Sequence, residues 1–128
     1  MTSLTQRSLA TLRAAGWYAA VVEHWNPHAH IRQDLFGIGD IIAVRSSSPG
    51  CALIQCTSGS NVSARVKKIL DAPVTMTWLA AGNVLAVWGW VKKGPRGKRK
   101  VWTLTTRNIT ARDVRDHLAE TEIKDSPG

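Results

Sequence analysis

Two spacings of apolar residues alternate along the chain, and they divide it into helices and strands. Leu4, Leu9, Leu12 and Ala15 recur at helical intervals and predict a first helix over 5–15, capped by Ser3 or Thr5 and stopped by Gly16. Gln6, Arg7 and Arg13 fall on its polar side. Aromatic and β-branched residues over 17–25 (WYAAVVEHW) predict a strand, which Asn26-Pro27 ends. A second strand is expected over 35–44, with Gly37 and Gly39 allowing a bulge or close backbone approach just before Asp40. After the turn RSSSPG, residues 51–57 are apolar on both faces apart from Gln55 and Thr57, as in a central strand covered on both sides.

The polar loop SGSN leads into a helix over 62–71, capped by Ser60 or Asn61, with Val62, Val66, Ile69 and Leu70 as its apolar stripe. Residues 74–81 fit a short helix better than a strand. Residues 84–91 (VLAVWGWV) and 101–106 (VWTLTT) predict a hairpin whose tip is 92–100. Thr110 caps a last helix over 111–120, and a frayed tail is expected over 121–128. Three strands, a crossover helix and further strands imply one α/β domain over 1–128, a mixed central sheet of about five strands flanked by helices.

The pattern is broken where polar side chains enter apolar strands. Asp40 opens the second strand, and Gln55 and Thr57 interrupt the third. A buried polar group without a partner costs roughly 1–3 kcal/mol, so these positions require a hydrogen-bond network or a site.

Charge adds a second focus. The net charge is +8, and Lys92, Lys93, Arg96, Lys98, Arg99 and Lys100 carry six positive charges within the tip, with no acid among them. With a pI near 10.2, this clustering points to a polyanionic partner such as nucleic acid; a solvated basic turn is the plainer alternative. The apolar runs fall far short of the ~20 residues that span a bilayer, and the N-terminal stretch lacks a signal-peptide pattern, so a cytoplasmic location without membrane contact is expected. Cys51 and Cys56, five apart on one strand, face opposite ways and cannot pair with each other, and they form no zinc framework. His28 and His30 read as surface residues of a polar loop. Trp88 and Trp90 share a strand face beside Trp102, suited to cross-strand packing or to stacking on exposed bases.

Helix, three strands, helix, strand is the element order of the PD-(D/E)XK nuclease core. GIGD ending in Asp40, followed after a turn by Gln55-Cys56-Thr57 and then by the basic helix NVSARVKKIL, resembles that family's acid and acid-x-lysine motif. The chain looks most like Holliday junction resolvases and the nuclease-like proteins of phages and prophages. The resemblance implies a restriction-endonuclease-like core and a homodimer that cleaves branched or duplex DNA. It further implies Mg²⁺ or Mn²⁺ held by Asp40, Gln55 and the backbone carbonyl of Cys56, with hydrolysis of a phosphodiester as the reaction. Gln55 stands where the family has an acid and Thr57 where it has a lysine. Only Asp40 is kept, and Gln6 is the nearest polar candidate for the acid of the first helix.

Replacements are available in the sequence. Glu23 lies on the strand expected beside Asp40, Asp34 lies just upstream, and Lys67 or Lys68 extends from the helix after the third strand, Lys68 on the same side as Arg65. Each has a plainer role as well: a salt-bridged strand end, a loop cap, a solvated face. Ser58, Ser60 and Asn61 offer phosphate contacts at a helix N-terminus, beside Arg65. An inactive nuclease-fold DNA-binding protein, or a phage or prophage accessory protein, is the alternative to an endonuclease.

Overall fold

A computed structural model describes the backbone of residues 2–125 and the side chains of residues 2–123. Helix α1 (Leu4–Ala14) starts at Ser3, whose Oγ accepts the Gln6 N–H at 3.1 Å, and stops before Gly16, where φ is +91°. Its buried side, with Leu9 and Leu12, packs on one face of a five-stranded sheet.

The sheet contains β1 (Tyr18–Val21), β4 (Ile41–Val44), β5 (Ala52–Ser58), β6 (Val84–Lys93) and β7 (Val101–Ile109), in the order β1-β4-β5-β6-β7. All neighbours are antiparallel except β5 and β6, which run parallel because α2 (Val62–Asp71) and α3 (Val74–Ala80) carry the chain across between them. The central strands are buried on both sides. Ala52, Ile54 and Cys56 join Leu9, Leu12 and Ile41 in one core layer, while Leu53 turns the other way to meet Ile69, Leu85 and Val87. Gly89 lies where a Cβ would collide with Val62, which lets the start of α2 approach β6 closely. A last helix, α4 (Ala111–Asp125), is capped reciprocally: Thr110 Oγ1 accepts the Asp113 N–H, and Asp113 Oδ2 accepts the Thr110 N–H. That backbone bond holds the Asp113 carboxyl below its ordinary value.

Three expectations need correction. The strand expected over 17–25 is two strands: β1 joins the main sheet, while β2 (His24–Asn26) pairs with β3 (Ile31–Gln33) in a separate ribbon. Asn26 Oδ1 accepts the N–H groups of His28 and Ala29, turning the chain back on itself. The strand expected over 35–44 begins only at Ile41, because residues 35–39 form a tight turn closed by Leu35 and Gly39, with Phe36 and Gly37 at positive φ. The last helix, expected over 111–120, continues through Asp125; 126–128 lie outside the described residues. Asn61, expected with Ser60 as a cap, precedes α2 but makes no side-chain capping bond there. Both cysteines are free, and among the described residues no helix is long and apolar enough to cross a membrane.

Candidate metal centre and anion-binding surface

Asp40 is held by its backbone before its side chain does anything. Its N–H donates to the Ile54 carbonyl at 2.9 Å, and its carbonyl accepts the Val22 N–H at 2.9 Å, so it is pinned between β5 and the end of β1. This register brings Glu23, one residue past Val22, to the same place. The turn over 35–39 brings Asp34 there by another route. Leu35 N–H donates to the Gly39 carbonyl at 2.7 Å, which folds the chain so that Asp34 and Asp40 flank the closed turn. Gly39 allows this because a Cβ there would collide with Leu53.

Glu23, Asp34 and Asp40 each offer one carboxylate oxygen, and these three oxygens lie within 4.8 Å of one another. Like charges at that separation repel by roughly 3–4 kcal/mol per pair at an effective dielectric of about 20. Asp40, 4 % exposed, carries the strain most visibly. Burial pushes its carboxyl from 3.8 up to about 6, and Asp34 and Glu23 push in the same direction, against the Cys56 N–H that donates to Oδ1 at 3.1 Å. Arg32, 3.5 Å from Glu23, balances part of the negative charge from the solvent side.

The acids open into a cleft of about 630 Å³, which Gln55, Cys56, Arg65 and Lys68 also line. Gln55 is 2 % exposed, and its Oε1 has no hydrogen-bond partner. Three carboxylates, in a cleft that an unpaired buried amide oxygen also lines, are hard oxygen donors of the kind that Mg²⁺, Mn²⁺ or Ca²⁺ takes. The small acidic cluster can hold a metal ion. Burial and the neighbouring Asp40 push the Cys56 thiol well above its ordinary range, so that side chain stays protonated and is a poor ligand.

Of the residues singled out in the sequence, Asp40, Glu23, Asp34, Gln55, Arg65 and Lys68 come together in the cleft. Thr57 is buried in β5 and does not line it; Lys67 is exposed and does not line it either. Ser58 and Asn61 lie outside the lining, with Ser58 Oγ 3.2 Å from Ser60 Oγ. On α1 it is Thr5, not Gln6, that reaches the cleft. His24 and Arg32 carried no signal in the sequence, because the β2–β3 ribbon that bears them was not legible there.

The basic tip forms a separate surface. Lys92 and Lys93 extend β6, and Arg96, Lys98, Arg99 and Lys100 follow around a turn closed by the Lys98 N–H on the Pro95 carbonyl at 3.0 Å; all six are exposed. Beneath them, Trp90 is buried and its Nε1 donates to Ser8 Oγ at 2.8 Å, so this indole is a packing residue. No protein-family model, curated protein or solved structure matches the chain. The site is therefore interpreted from its geometry and chemistry.

Proposed function

We propose that the protein is a divalent-metal-dependent phosphodiesterase acting on nucleic acid, an endonuclease of the restriction-endonuclease-like, resolvase-like kind. The observation that carries this reading is the convergence of Glu23, Asp34 and Asp40 in a cleft that is also lined by Gln55, whose buried amide oxygen is unpartnered, and by Arg65 and Lys68. Glu23, Asp34, Asp40 and Gln55 Oε1 would hold Mg²⁺ or Mn²⁺, with the Cys56 carbonyl as a further oxygen donor. Glu23 and Asp34 supply the negative charge that Gln55, standing in the position of an acid, does not.

A bound divalent cation supplies Lewis acidity to the scissile phosphate and an acidified water. The chain's own residues do the rest. Lys68 and Arg65 bind nonbridging phosphate oxygens and offset the charge that grows on them, the task a lysine at position 57 would otherwise perform. Arg32 orients Glu23 through their ion pair. The Cys56 N–H fixes one oxygen of Asp40 and leaves the other for the ion. The tip holds the nucleic acid through its backbone, without reading bases.

The test is cleavage of branched, duplex and single-stranded DNA with Mg²⁺ or Mn²⁺, comparing the natural chain with Asp40→Asn. Metal-dependent cutting that the substitution abolishes is the expected result. Calorimetry that finds no Mn²⁺ binding to the natural chain would refute the metal centre.

A second reading, a nuclease-fold protein that binds DNA without cutting it, draws on Gln55 and Thr57 standing where an acid and a lysine belong. Salt-sensitive binding of equal strength in the natural chain and Asp40→Asn, with no product, would favour it. The homodimer implied by the resolvase resemblance is checked by sedimentation with and without junction DNA.

A further inference from the structure

A smaller pocket of about 390 Å³, sharing no lining residue with the acidic cleft, is lined by Arg7, Arg99, Lys100, Val101 and Trp102. No acid lines it. Among the described residues none of Arg7, Lys92, Arg99 and Lys100 pairs with a carboxylate. Arg7, Lys92, Arg99 and Lys100 thus concentrate positive charge without counter-charge, which attracts an anion.

The arrangement of Arg7 is more specific than a basic surface. Its guanidinium carbon lies 4.8 Å from the centre of the Trp102 ring and 5.8 Å from that of Trp90, while Lys92 Nζ approaches the Trp102 ring to 5.2 Å. Trp90 is itself fixed by Ser8. The indoles thus hold Arg7 in place by their faces, which engages its π surface and leaves its N–H edge for other partners. On that edge, Arg7 Nε is buried and has no hydrogen-bond partner. A buried charged donor without an acceptor, in a pocket closed by two further cations, marks a position for an oxyanion.

We infer that Arg7, Arg99 and Lys100, ordered by Trp102, form a phosphate-binding site distinct from the acidic cleft. With Lys92 already on its ring, Trp102 organises cations rather than stacking on a base. The two sites lie on either side of the start of α1: Thr5 lines the cleft, and Arg7, two residues further along the helix, lines this pocket. The inference rests on the proposed function only for the source of the phosphate; a free phosphomonoester has the same chemistry.

The experiment follows the Arg7 Nε–H and Trp102 indole N–H signals in ¹H–¹⁵N spectra, at constant ionic strength and with EDTA present, so that the acidic cleft plays no part. Three probes are compared: inorganic phosphate, a short oligothymidylate, and the same oligomer with an uncharged methylphosphonate backbone. Both signals should move with the first two probes and stay still with the third. Arg7→Gln should weaken oligothymidylate binding about tenfold, and so should the exposed pair Arg99→Gln with Lys100→Gln, which leaves α1 and its indoles intact. Tighter binding of the oligomer than of inorganic phosphate assigns the pocket to nucleic acid; equal affinities assign it to a free phosphate group. Signals that ignore all three probes, or that follow the uncharged oligomer, overturn the phosphate site. Loss of cleavage with these shifts intact would count against the metal centre alone.

Discussion

The acidic cleft and the basic tip are opposites in construction. The cleft draws Glu23, Asp34, Asp40 and Gln55 from four separate stretches, buries much of their surface and locks Asp40 with backbone bonds on both sides. The tip draws its charges from nine consecutive residues, leaves them exposed and ties them down with one turn. The first has the precision that holding an ion requires, at the cost of like charges forced together. The second has reach and charge, which suit a polymer whose phosphates repeat, and it costs the fold little. One places chemistry and the other supplies attraction, and substitutions in the two should behave accordingly.

The largest effect is expected at the cleft. Asp40→Ala should weaken Mn²⁺ binding at least about a hundredfold, read by calorimetry, and abolish any cleavage. Retained metal affinity would remove Asp40 from the centre.

Next is a pH effect of specific sign. The Asp40 carboxyl is raised from 3.8 to about 6 in the folded chain, so the native state holds its proton more tightly than the unfolded state does. Without metal, the contribution of Asp40 to stability should be fully present below pH 4, fall by about 3 kcal/mol as pH rises toward 6, and level off above it. Urea melts of the natural chain and Asp40→Asn across that range test this: the asparagine chain should lose the slope and be the more stable of the two at neutral pH. Metal affinity should rise over the same window.

Somewhat smaller is Gly39→Ala, whose methyl would collide with Leu53. A loss of about 2 kcal/mol, with weakened metal binding as the turn shifts, is expected by denaturation and calorimetry together. An alanine chain that melts normally and binds Mn²⁺ normally would show that the turn does not set the site.

The smallest effect on the fold belongs to the tip. Lys98→Gln, Arg99→Gln and Lys100→Gln together should change stability by no more than about 0.5 kcal/mol. They should nevertheless lower DNA affinity to all sequences alike and reduce the salt dependence of binding by about two to three phosphate contacts. Unchanged affinity would detach the tip from nucleic acid.

These contrasts also explain what could be read from the chain directly. Local signals were sufficient for α1, α2, β5 and the β6–β7 hairpin, because apolar periodicity, Ser3, Gly16 and Pro73 act within a few residues. The tip was legible for the same reason: its charge is contiguous. Asp40 and Gln55 stood out because polar groups in apolar strands are anomalies. Glu23, Asp34 and Lys68 were only candidates among several, since nothing nearby in sequence distinguishes a ligand from a salt-bridged strand end. The break between β1 and β2 escaped notice, because WYAAVVEHW keeps one apolar pattern while its hydrogen bonds change partners.

By itself, then, the sequence determined the α/β class, the central buried strand, the basic tip and the three anomalous polar residues, Gln55 and Thr57 within that strand and Asp40 before it. Only the tertiary structure decided that Glu23 and Asp34 meet Asp40, that Gln55 lines the same cleft with its Oε1 unpaired, that Thr57 stands apart, and that Arg7 sits against Trp102 with its Nε buried and unpartnered. The physical reason is range. Helix and strand preferences arise from neighbours along the chain, whereas ligand sets and desolvated charges arise where sheet register and a five-residue turn bring distant segments to one point.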